Sequence, residues 1–427
     1  MAKLRDEWRG KETSDLKHLA TEAKKMGFVE NGQSGFRVGG TETNFDELKV
    51  ILESAIEFHP DVPPVERLRI LSQSLFDANR ESKLDVKGIL GIVRRVEAAY
   101  LKRKSQTFVL LTTLATRDFD DFRSLTYLGT RFSLSRQAPR KMRKARFQDR
   151  HSTLWRQLRK TEDAHSLVWV QVKVEGRTAL EAGERGITAF ESLRSTWNFL
   201  LNRTKRREKS LGSMPPPAND LIKGPLTTIH LPNGEFASET FWYQLPNQLV
   251  FRDGTIRQHW DYVRRNTEAV SRLLRASSLK DELLRLLRQY CSALDSCDHS
   301  SARNELWAVL ERLTASGSSH EQTVRRTAFL YEDRDLHKLV LEHLRRLRNR
   351  SIHDGETSVD EQTCLYQLKR YVEDLFEFLL RSKREFNSLA EAGDFLALPY
   401  QCDEIQDKLA ALNKKSKMLR SAIRFRK

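Results

Sequence analysis

The spacing of apolar residues predicts helices in the first quarter of the chain. Residues 66–76 and 86–101 repeat apolar side chains every three or four positions, which is the period of an amphipathic helix. An earlier helix is predicted to begin near Asn44, because Glu47 stands three positions later in the arrangement of a capping box. We therefore predict a helical N-terminal region over residues 1–104.

The pattern changes to strand-like alternation after residue 104. Residues with high strand propensity there form short runs bounded by polar breaks, which is typical of strands. Five strands are predicted, at residues 107–114, 125–132, 166–174, 227–231 and 241–245. Residues 179–201 show a long amphipathic pattern that places Phe190 and Trp197 on one side of a helix. Strands combined with a covering helix predict an α+β domain over residues 105–255.

From residue 256 onward the apolar spacing is almost entirely helical. Four helical segments are predicted, at residues 267–294, 302–314, 321–352 with an interruption, and 358–380. Four helices joined by short polar loops are typical of an antiparallel bundle, which we assign to residues 256–385. Residues 386–427 have a short helix pattern and a basic end, which predicts a mobile basic tail. The predicted fold class is a multidomain α+β protein.

The charge of the chain indicates a polyanionic partner. Lysine and arginine number 74 against 58 aspartate and glutamate, which gives a formal charge of +16. Nucleic acid fits this surplus better than a membrane, because no apolar run approaches the roughly 18 residues of a membrane span. The first residues carry charges where a signal peptide needs an apolar core, so a cytoplasmic protein is expected.

Basic residues concentrate in two clusters of the middle region. Residues 131–150 contain eight lysines or arginines and one acid, and residues 203–209 form a second basic run. Each cluster could be ordinary solvated surface, but together with the global charge they indicate a groove that follows an RNA backbone. The candidate RNA-binding residues, which include two arginines of the bundle, are Arg140, Lys141, Arg143, Lys144, Lys205, Arg206, Arg207, Arg345 and Arg350.

The cysteines and the nucleotide motifs argue against a cofactor. The four cysteines stand at positions 291, 297, 364 and 402 and include no Cys-x2-Cys pair, so they are expected to be reduced thiols without a metal. The sequence has no glycine-rich phosphate loop and no dinucleotide-binding fingerprint. We therefore expect neither a metal nor ATP or NAD.

The strongest candidate chemistry lies in residues 341–355. Arg348 is followed directly by Asn349, and His353 stands five positions after the arginine. A guanidinium can hold and neutralise a phosphate, and an imidazole can move a proton near neutral pH. A long helical pattern precedes these residues, and Gly355 follows them as an expected residue after a helix end.

The same arginine-to-histidine spacing occurs once more, between Arg146 and His151. Arginine is frequent enough in this chain for one such match to arise by chance. No comparable helical frame surrounds Arg146, so we interpret this second pair as a chance match.

The motif and its helical setting resemble the catalytic motif of the HEPN superfamily, a helical fold with many metal-independent endoribonucleases. The resemblance covers residues 267–382, about a quarter of the chain, and residues 304–313 are similar to the second helix of the family. It is closest to HEPN-like modules at the C-terminal end of larger prokaryotic proteins, some of them implicated in defence against phage. The resemblance implies that Arg348, Asn349 and His353 are catalytic, and that the activity is regulated and serves phage defence or growth arrest.

Cleavage of this kind would need no metal, because the 2′-hydroxyl of RNA can attack the adjacent phosphorus in line. His353 would act as general acid or base, and Arg348 would stabilise the charged phosphorane. Asn349 would orient His353 or hydrogen-bond a phosphate oxygen. The expected products are a 2′,3′-cyclic phosphate and a 5′-hydroxyl, and DNA should be spared because it lacks the attacking hydroxyl.

Helical geometry separates the two main groups. Five positions correspond to about 140° around an ideal helix axis, so Arg348 and His353 would not share one face. Either the helix loosens before His353, or a second copy of the chain completes the site. The resemblance implies the second alternative, because HEPN modules pair through this helix, and a homodimer through the bundle is predicted.

Two other functions stay open. A non-catalytic RNA-binding or scaffold protein could use the bundle only to dimerise, with the arginines at the helix end complementing its dipole. A small-nucleotide sensor could use the basic clusters of the middle region, so that a nucleotide or a phage-derived trigger activates cleavage. For the ribonuclease and for the RNA-binding protein, the expected partner is RNA, with tRNA among the candidate targets.

Overall fold

The computed structural model describes most of the chain in segments separated by gaps. These segments are residues 1–5, 15–25, 28–31, 35–38, 45–116, 124–148, 150, 152–164, 167–205, 218–244, 259–296, 298–317, 319–353, 361–382 and 385–426. The fold is α+β, with an antiparallel sheet in the middle of the chain and a helical C-terminal region.

The N-terminal region is mainly helical, as its periodicity predicts. Its helices are α1 (Asp15–Lys25), α2 (Phe45–Ala55), α3 (Pro64–Arg80) and α4 (Val86–Leu101). Two strand pairs that the pattern does not predict are β1 (Lys3–Leu4) with β4 (Ile56–Glu57), and β2 (Phe28–Asn31) with β3 (Gly35–Val38). Such short strands show too few alternating positions to be detected from sequence. The region has a hydrophobic core of its own, to which all four helices contribute.

The middle region is organised around two long central strands. The strands of the sheet are β5 (Gln106–Ala115), β6 (Ser124–Tyr127), β7 (Thr130–Ser135), β8 (Leu167–Gly176), β9 (Ile222–Lys223), β10 (Leu226–His230) and β11 (Phe236–Tyr243). Their order is β11-β10-β5-β8-β7-β6, with β9 beside β5, and each pairing is antiparallel. β5 and β8 pair along their whole lengths, from Gln106 opposite Gly176 to Ala115 opposite Leu167.

One predicted strand is a hairpin. The alternation over residues 125–132 predicts a single strand, but the chain turns between β6 and β7 at Leu128 and Gly129. Both turn residues have positive φ angles, 49° and 90°, as a tight two-residue hairpin turn requires. Because a two-residue turn does not interrupt the alternation of side chains, the pattern conceals the reversal.

Helices cover both faces of the sheet. On one face lies α7 (Ala179–Thr204), where Gly186 packs so closely on β5 that a Cβ atom there would be 3.0 Å from Cβ of Leu110. On the other face lie α5 (Arg140–Phe147) and α6 (Thr153–Ala164), which the apolar pattern does not predict. α5 buries Met142 against Leu111 of β5. The many cations of α5 hide this apolar contact in the sequence.

The C-terminal region contains more helices than predicted. Its described helices are α8 (Trp260–Ala276), α9 (Lys280–Asp295), α10 (His299–Leu313), α11 (His320–Ala328), α12 (Arg334–His353), α13 (Glu361–Arg381), α14 (Leu389–Leu396) and α15 (Cys402–Phe425). The single helix predicted over residues 267–294 is wrong, because the chain breaks at Ser277, which has an extended backbone, before α9 begins. The predicted interruption within residues 321–352 is confirmed between α11 and α12.

The basic tail also differs from its prediction. Instead of a short helix and a mobile end, residues 402–425 form the 24-residue helix α15. Every residue of α15 is exposed, so no part of the described chain covers it. The apolar side chains of α15 are therefore exposed to solvent within the single chain.

A continuous hydrophobic core joins the sheet to the C-terminal helices through α7. Arg194 of α7 forms a bidentate ion pair with Asp295 of α9, with N–O distances of 3.0 and 2.8 Å. Buried Lys369 of α13 donates to the backbone oxygen of Asn202 at 2.7 Å. These contacts fix α9 and α13 against α7. Among the helices that the structure describes, none combines the length and apolar character needed to cross a membrane.

Candidate active site

The motif predicted from sequence lies in the last turns of α12. Leu341, Leu344 and Leu347 are buried and face the rest of the bundle, which fixes the rotation of the helix. His343 and Arg346 are exposed on its other side. The helix thus has one packed face and one solvent face where the candidate residues follow.

Arg348 is partly buried beside the packed face. Its Nε is buried without a hydrogen-bond partner, and its Nη1 donates to Oδ1 of Asn349 at 3.4 Å. Within the described residues no carboxylate lies at ion-pair distance from this guanidinium, whereas Arg345 is paired with Glu342 at 2.8 Å. A guanidinium with free donors and no neutralising acid can bind an oxyanion in a bidentate manner.

Asn349 and His353 follow Arg348 on the same helix. The side-chain oxygen of Asn349 faces Arg348, so in this structure the amide orients the arginine. The backbone is helical as far as His353, whose side chain, like Gly355, lies outside the described residues. The helix therefore does not loosen before position 353, and positions 348 and 353 are about 140° apart around its axis.

A residue outside the predicted motif stabilises this end of α12. Arg303 of α10 is almost fully buried, and its Nη2 approaches the backbone oxygen of Leu347 at 3.5 Å. The same guanidinium forms an ion pair with Glu361 in the first turn of α13. Arg303 is too buried to contact RNA, so its role is to hold three helices together directly beside Arg348. No local signal predicts this burial, because the partners are 44 and 58 positions away.

Part of the basic cluster of residues 131–150 lines a pocket on the outer surface of α5 and α6. Its volume is about 430 Å³, and its cationic walls are Arg140, Arg143, Lys144 and Arg159. Arg143 is paired with Asp163, and the guanidinium of Arg159 lies over the ring of Phe147 at 5.7 Å. Lys141 is exposed on the same helix, outside the pocket lining. Among the described residues, four cations line this pocket and Asp163 is the acid paired with one of them, so the pocket is electropositive.

The remaining candidate RNA-binding residues are placed differently. Lys205 is mostly buried, and its Nζ donates to the backbone oxygen of Ala218 and to Asp220, the latter at 2.9 Å. This anchoring removes Lys205 from the set of residues that can contact RNA. Arg350 is exposed on α12, while Arg206 and Arg207 lie outside the described residues.

The chance match at Arg146 has a structural role. Arg146 is fully buried under the sheet, where it donates to Oγ1 of Thr228 at 3.0 Å, to the backbone oxygen of Leu111 at 2.6 Å and to Glu162. Oγ1 of Thr228 also contacts Nε2 of His230 at 2.9 Å. Burial, together with the charge of Arg146, lowers the pKa of His230 to about 4. His151 lies outside the described residues.

The potential metal ligands do not gather into a site in the part of the chain that the structure describes, where no group of three or more histidine, cysteine or acidic side chains could hold an ion. Cys291 and Cys364 are buried and Cys402 is exposed, and none of these three is in a disulfide. Burial raises the pKa of Cys291 to about 12, so this thiol is protonated and unreactive at neutral pH.

Comparison with known proteins gives no relative from which a role could be transferred: no family model, no curated protein and no solved structure matches this chain.

Proposed function

We propose that the protein is a cytoplasmic, metal-independent endoribonuclease of HEPN type whose active site uses Arg348, Asn349 and His353. The observation that carries the proposal is the state of Arg348, a partly exposed guanidinium without an acidic partner among the described residues. Neighbouring arginines with a structural role are neutralised, as Arg303 is by Glu361. An unneutralised cation beside a polar residue suits a site for phosphate.

The proposed reaction is a transesterification within the RNA. The 2′-oxygen forms a bond to the adjacent phosphorus, the bond from phosphorus to the 5′-oxygen breaks, and a cyclic phosphate remains. The proton of the 2′-hydroxyl passes to a base and the leaving 5′-oxygen receives a proton, and His353 would perform one of these transfers. Arg348 would neutralise the extra negative charge on the phosphorane.

Pairing of two chains through α12 is part of the proposal. Positions 348 and 353 lie on different sides of a continuous helix, so the arginine of one chain would act with the histidine of the other. Exposed apolar side chains on α12 support a paired helix, since Leu336 is 52% and Leu339 is 71% exposed. The electropositive pocket on α5 and α6 supports contact of the middle region with the RNA backbone.

The alternative is an RNA-binding or scaffold protein in which the bundle only dimerises. The separation of positions 348 and 353 within one chain favours this alternative, because a single chain does not bring the two groups together. A role in phage defence or growth arrest belongs to the first proposal alone, because only a cleaving enzyme would need a trigger.

Cleavage of RNA in the presence of EDTA tests the proposal. Purified protein is incubated with total RNA and with tRNA, and the new ends are mapped. The wild type should release 2′,3′-cyclic phosphates and 5′-hydroxyls, whereas His353→Ala should lower the cleavage rate about a hundred- to ten-thousand-fold. Arg348→Ala should lower the rate by at least about a hundredfold.

Matched variants on helices other than α12 serve as controls. His18→Ala on α1 and Arg272→Ala on α8 remove an exposed histidine and an exposed arginine, and both should cleave at the wild-type rate. RNA binding without cleavage, also after addition of extract from phage-infected cells, would favour the scaffold alternative. Equal cleavage by wild type and His353→Ala would exclude the assignment of this motif.

A further inference from the structure

The exposed helix α15 carries a heptad pattern of apolar residues. With Cys402 as the first position a, positions a and d are occupied by Cys402, Ile405, Leu409, Leu412, Ser416, Leu419, Ile423 and Arg426. Five of these eight are large aliphatic residues, and they form one stripe along more than three heptads. The pattern is that of a helix in a coiled coil.

This stripe is open to solvent in the single chain. Leu409 is 57% exposed, Leu412 is 64%, and Ile423 is 59%. A contiguous apolar stripe of this kind on a single chain marks an interaction surface. The helix begins close to α12, because Tyr400 lies under the guanidinium of Arg334 at 4.1 Å. α15 is thus tied to the bundle at its start and free along its length.

The charges of α15 are segregated along its axis. Its first half carries three acids and one lysine, at positions 403, 404, 407 and 408, whereas residues 414–426 carry six cations and no acid. Acids in the first turn complement the helix dipole, but the dipole does not explain lysines in the middle of the helix, at 414, 415 and 417. The helix dipole therefore does not account for the separation of acids and cations along α15.

We propose that α15 pairs with α15 of a second copy of this chain in an antiparallel coiled coil. In this arrangement the acidic half of each helix lies along the basic half of the other. A parallel pair would instead place six cations next to six cations, which is repulsive. The charge pattern of α15 thus identifies a second α15 as the occupant of its apolar stripe.

The heptad pattern and full overlap of the two helices together fix the register of the pair. Positions a and d face each other in an antiparallel coiled coil when residue numbers in the two chains add up to 828. Ile405 then packs on Ile423 of the other chain, and Leu409 on Leu419. Ser416 lies opposite Leu412 near the centre, and a single polar core position of this kind helps to specify register. Cys402 lies opposite Arg426.

Cross-linking of the full-length protein tests orientation and register together. In the antiparallel pair the two Cys402 residues are about 36 Å apart, so a short bismaleimide should not link the wild-type chains through them. Arg426→Cys should give a covalent dimer, and adding Cys402→Ser to that variant should abolish it. A wild-type dimer that is linked through Cys402 would indicate a parallel pair and overturn the proposal.

Sedimentation equilibrium tests the contribution of the apolar stripe. Leu412→Glu combined with Leu419→Glu should weaken association at least about a hundredfold, because four carboxylates would be placed in the core. Val50→Glu on α2 is the matched control, because Val50 is also an exposed apolar residue, at 59%, and this variant should associate like the wild type. Raising NaCl from about 0.1 M to about 1 M should weaken the wild-type pair through screening.

The same measurements exclude other occupants of α15. Association that appears only with added RNA, or cross-linking of Arg426→Cys that survives the double glutamate variant, would overturn the proposal. The inference is independent of the proposed catalysis. Cross-linking at position 426 reports pairing of α15 whether or not the chains also pair through α12, and a loss of cleavage is measured with His353→Ala, whose α15 is intact.

Discussion

At the scale of single residues, the buried polar cluster under the sheet shows how the environment determines the role of a side chain. The hydroxyl of Thr228 hydrogen-bonds both Arg146 and His230, and all three side chains are buried. The lowered pKa of His230, about 4, means that the folded protein holds this histidine neutral where an exposed one would begin to gain a proton. The cluster therefore couples folding to pH.

The stability of the protein should fall in mild acid because of His230. Its folded-state pKa lies below the unfolded value of 6.5, so between about pH 6.5 and pH 4 the unfolded chain binds a proton that the folded chain does not. The contribution is fully present above pH 6.5, and up to about 3 kcal/mol is lost by pH 4. His230→Gln should show a smaller difference between pH 7 and pH 4.5 in the free energy of urea unfolding.

The exposed His343 provides the control for this measurement. His343→Gln should keep the wild-type difference between the two pH values, because the side chain is on the solvent face of α12. An unchanged difference in His230→Gln would show that other groups cause the acid sensitivity.

At the scale of elements, Arg303 connects the beginning of α10, the end of α12 and the first turn of α13. Its ion pair with Glu361 is largely shielded, with side-chain exposures of 1% and 15%. Because the candidate Arg348 follows Leu347 directly, the position of the proposed catalytic turn depends on this connection. Arg303 is therefore a positioning residue for the proposed site.

Removing the acid of this pair should destabilise the bundle. Glu361→Ala leaves a buried guanidinium without its partner, which is expected to lower the free energy of unfolding by about 3–5 kcal/mol. Glu342→Ala breaks the more exposed pair with Arg345 and should cost about 0–1 kcal/mol. Chemical denaturation of both variants measures these free energies of unfolding. Equal losses in the two variants would contradict the role given to Arg303.

At the scale of the whole molecule, the cations of the chain differ in whether an acid neutralises them. Many cations are neutralised within the fold, as Lys205 is by Asp220 and Arg194 is by Asp295. Among the described residues, the pocket on α5 and α6 keeps several cations against Asp163 and is the strongest candidate surface for the RNA backbone.

RNA affinity should depend on salt through this pocket. Arg140→Gln with Lys144→Gln should weaken binding of single-stranded RNA and reduce the slope of log affinity against log salt by about 1.4, which is about 0.7 for each phosphate that the variant no longer neutralises. Lys87→Gln, which removes an exposed cation from α4, should leave the slope unchanged. Fluorescence anisotropy at several salt concentrations measures both, and identical slopes for the double variant and wild type would exclude the pocket as the RNA-binding surface.

Elements whose apolar period is long and regular are predictable from the sequence. The strands β5 and β8 and the helices α7 and α12 belong to this group, because their buried positions repeat over ten residues or more. α5 escapes prediction because cations outnumber apolar residues there, and the hairpin at Leu128 escapes because its turn preserves alternation. Apolar periodicity therefore does not predict a helix that buries only a narrow face. It also does not reveal a chain reversal that preserves the alternation of side chains.

By itself, the sequence determined the mixed α+β class, the helix that carries Arg348, and the order of arginine, asparagine and histidine along it. Only the tertiary structure decided which cations are neutralised. Arg146 and Arg348 have the same spacing to a histidine, but the partners of Arg146 come from positions 16, 35 and 82 residues away. Contacts over such distances in the chain depend on how the elements pack, and no local pattern contains them.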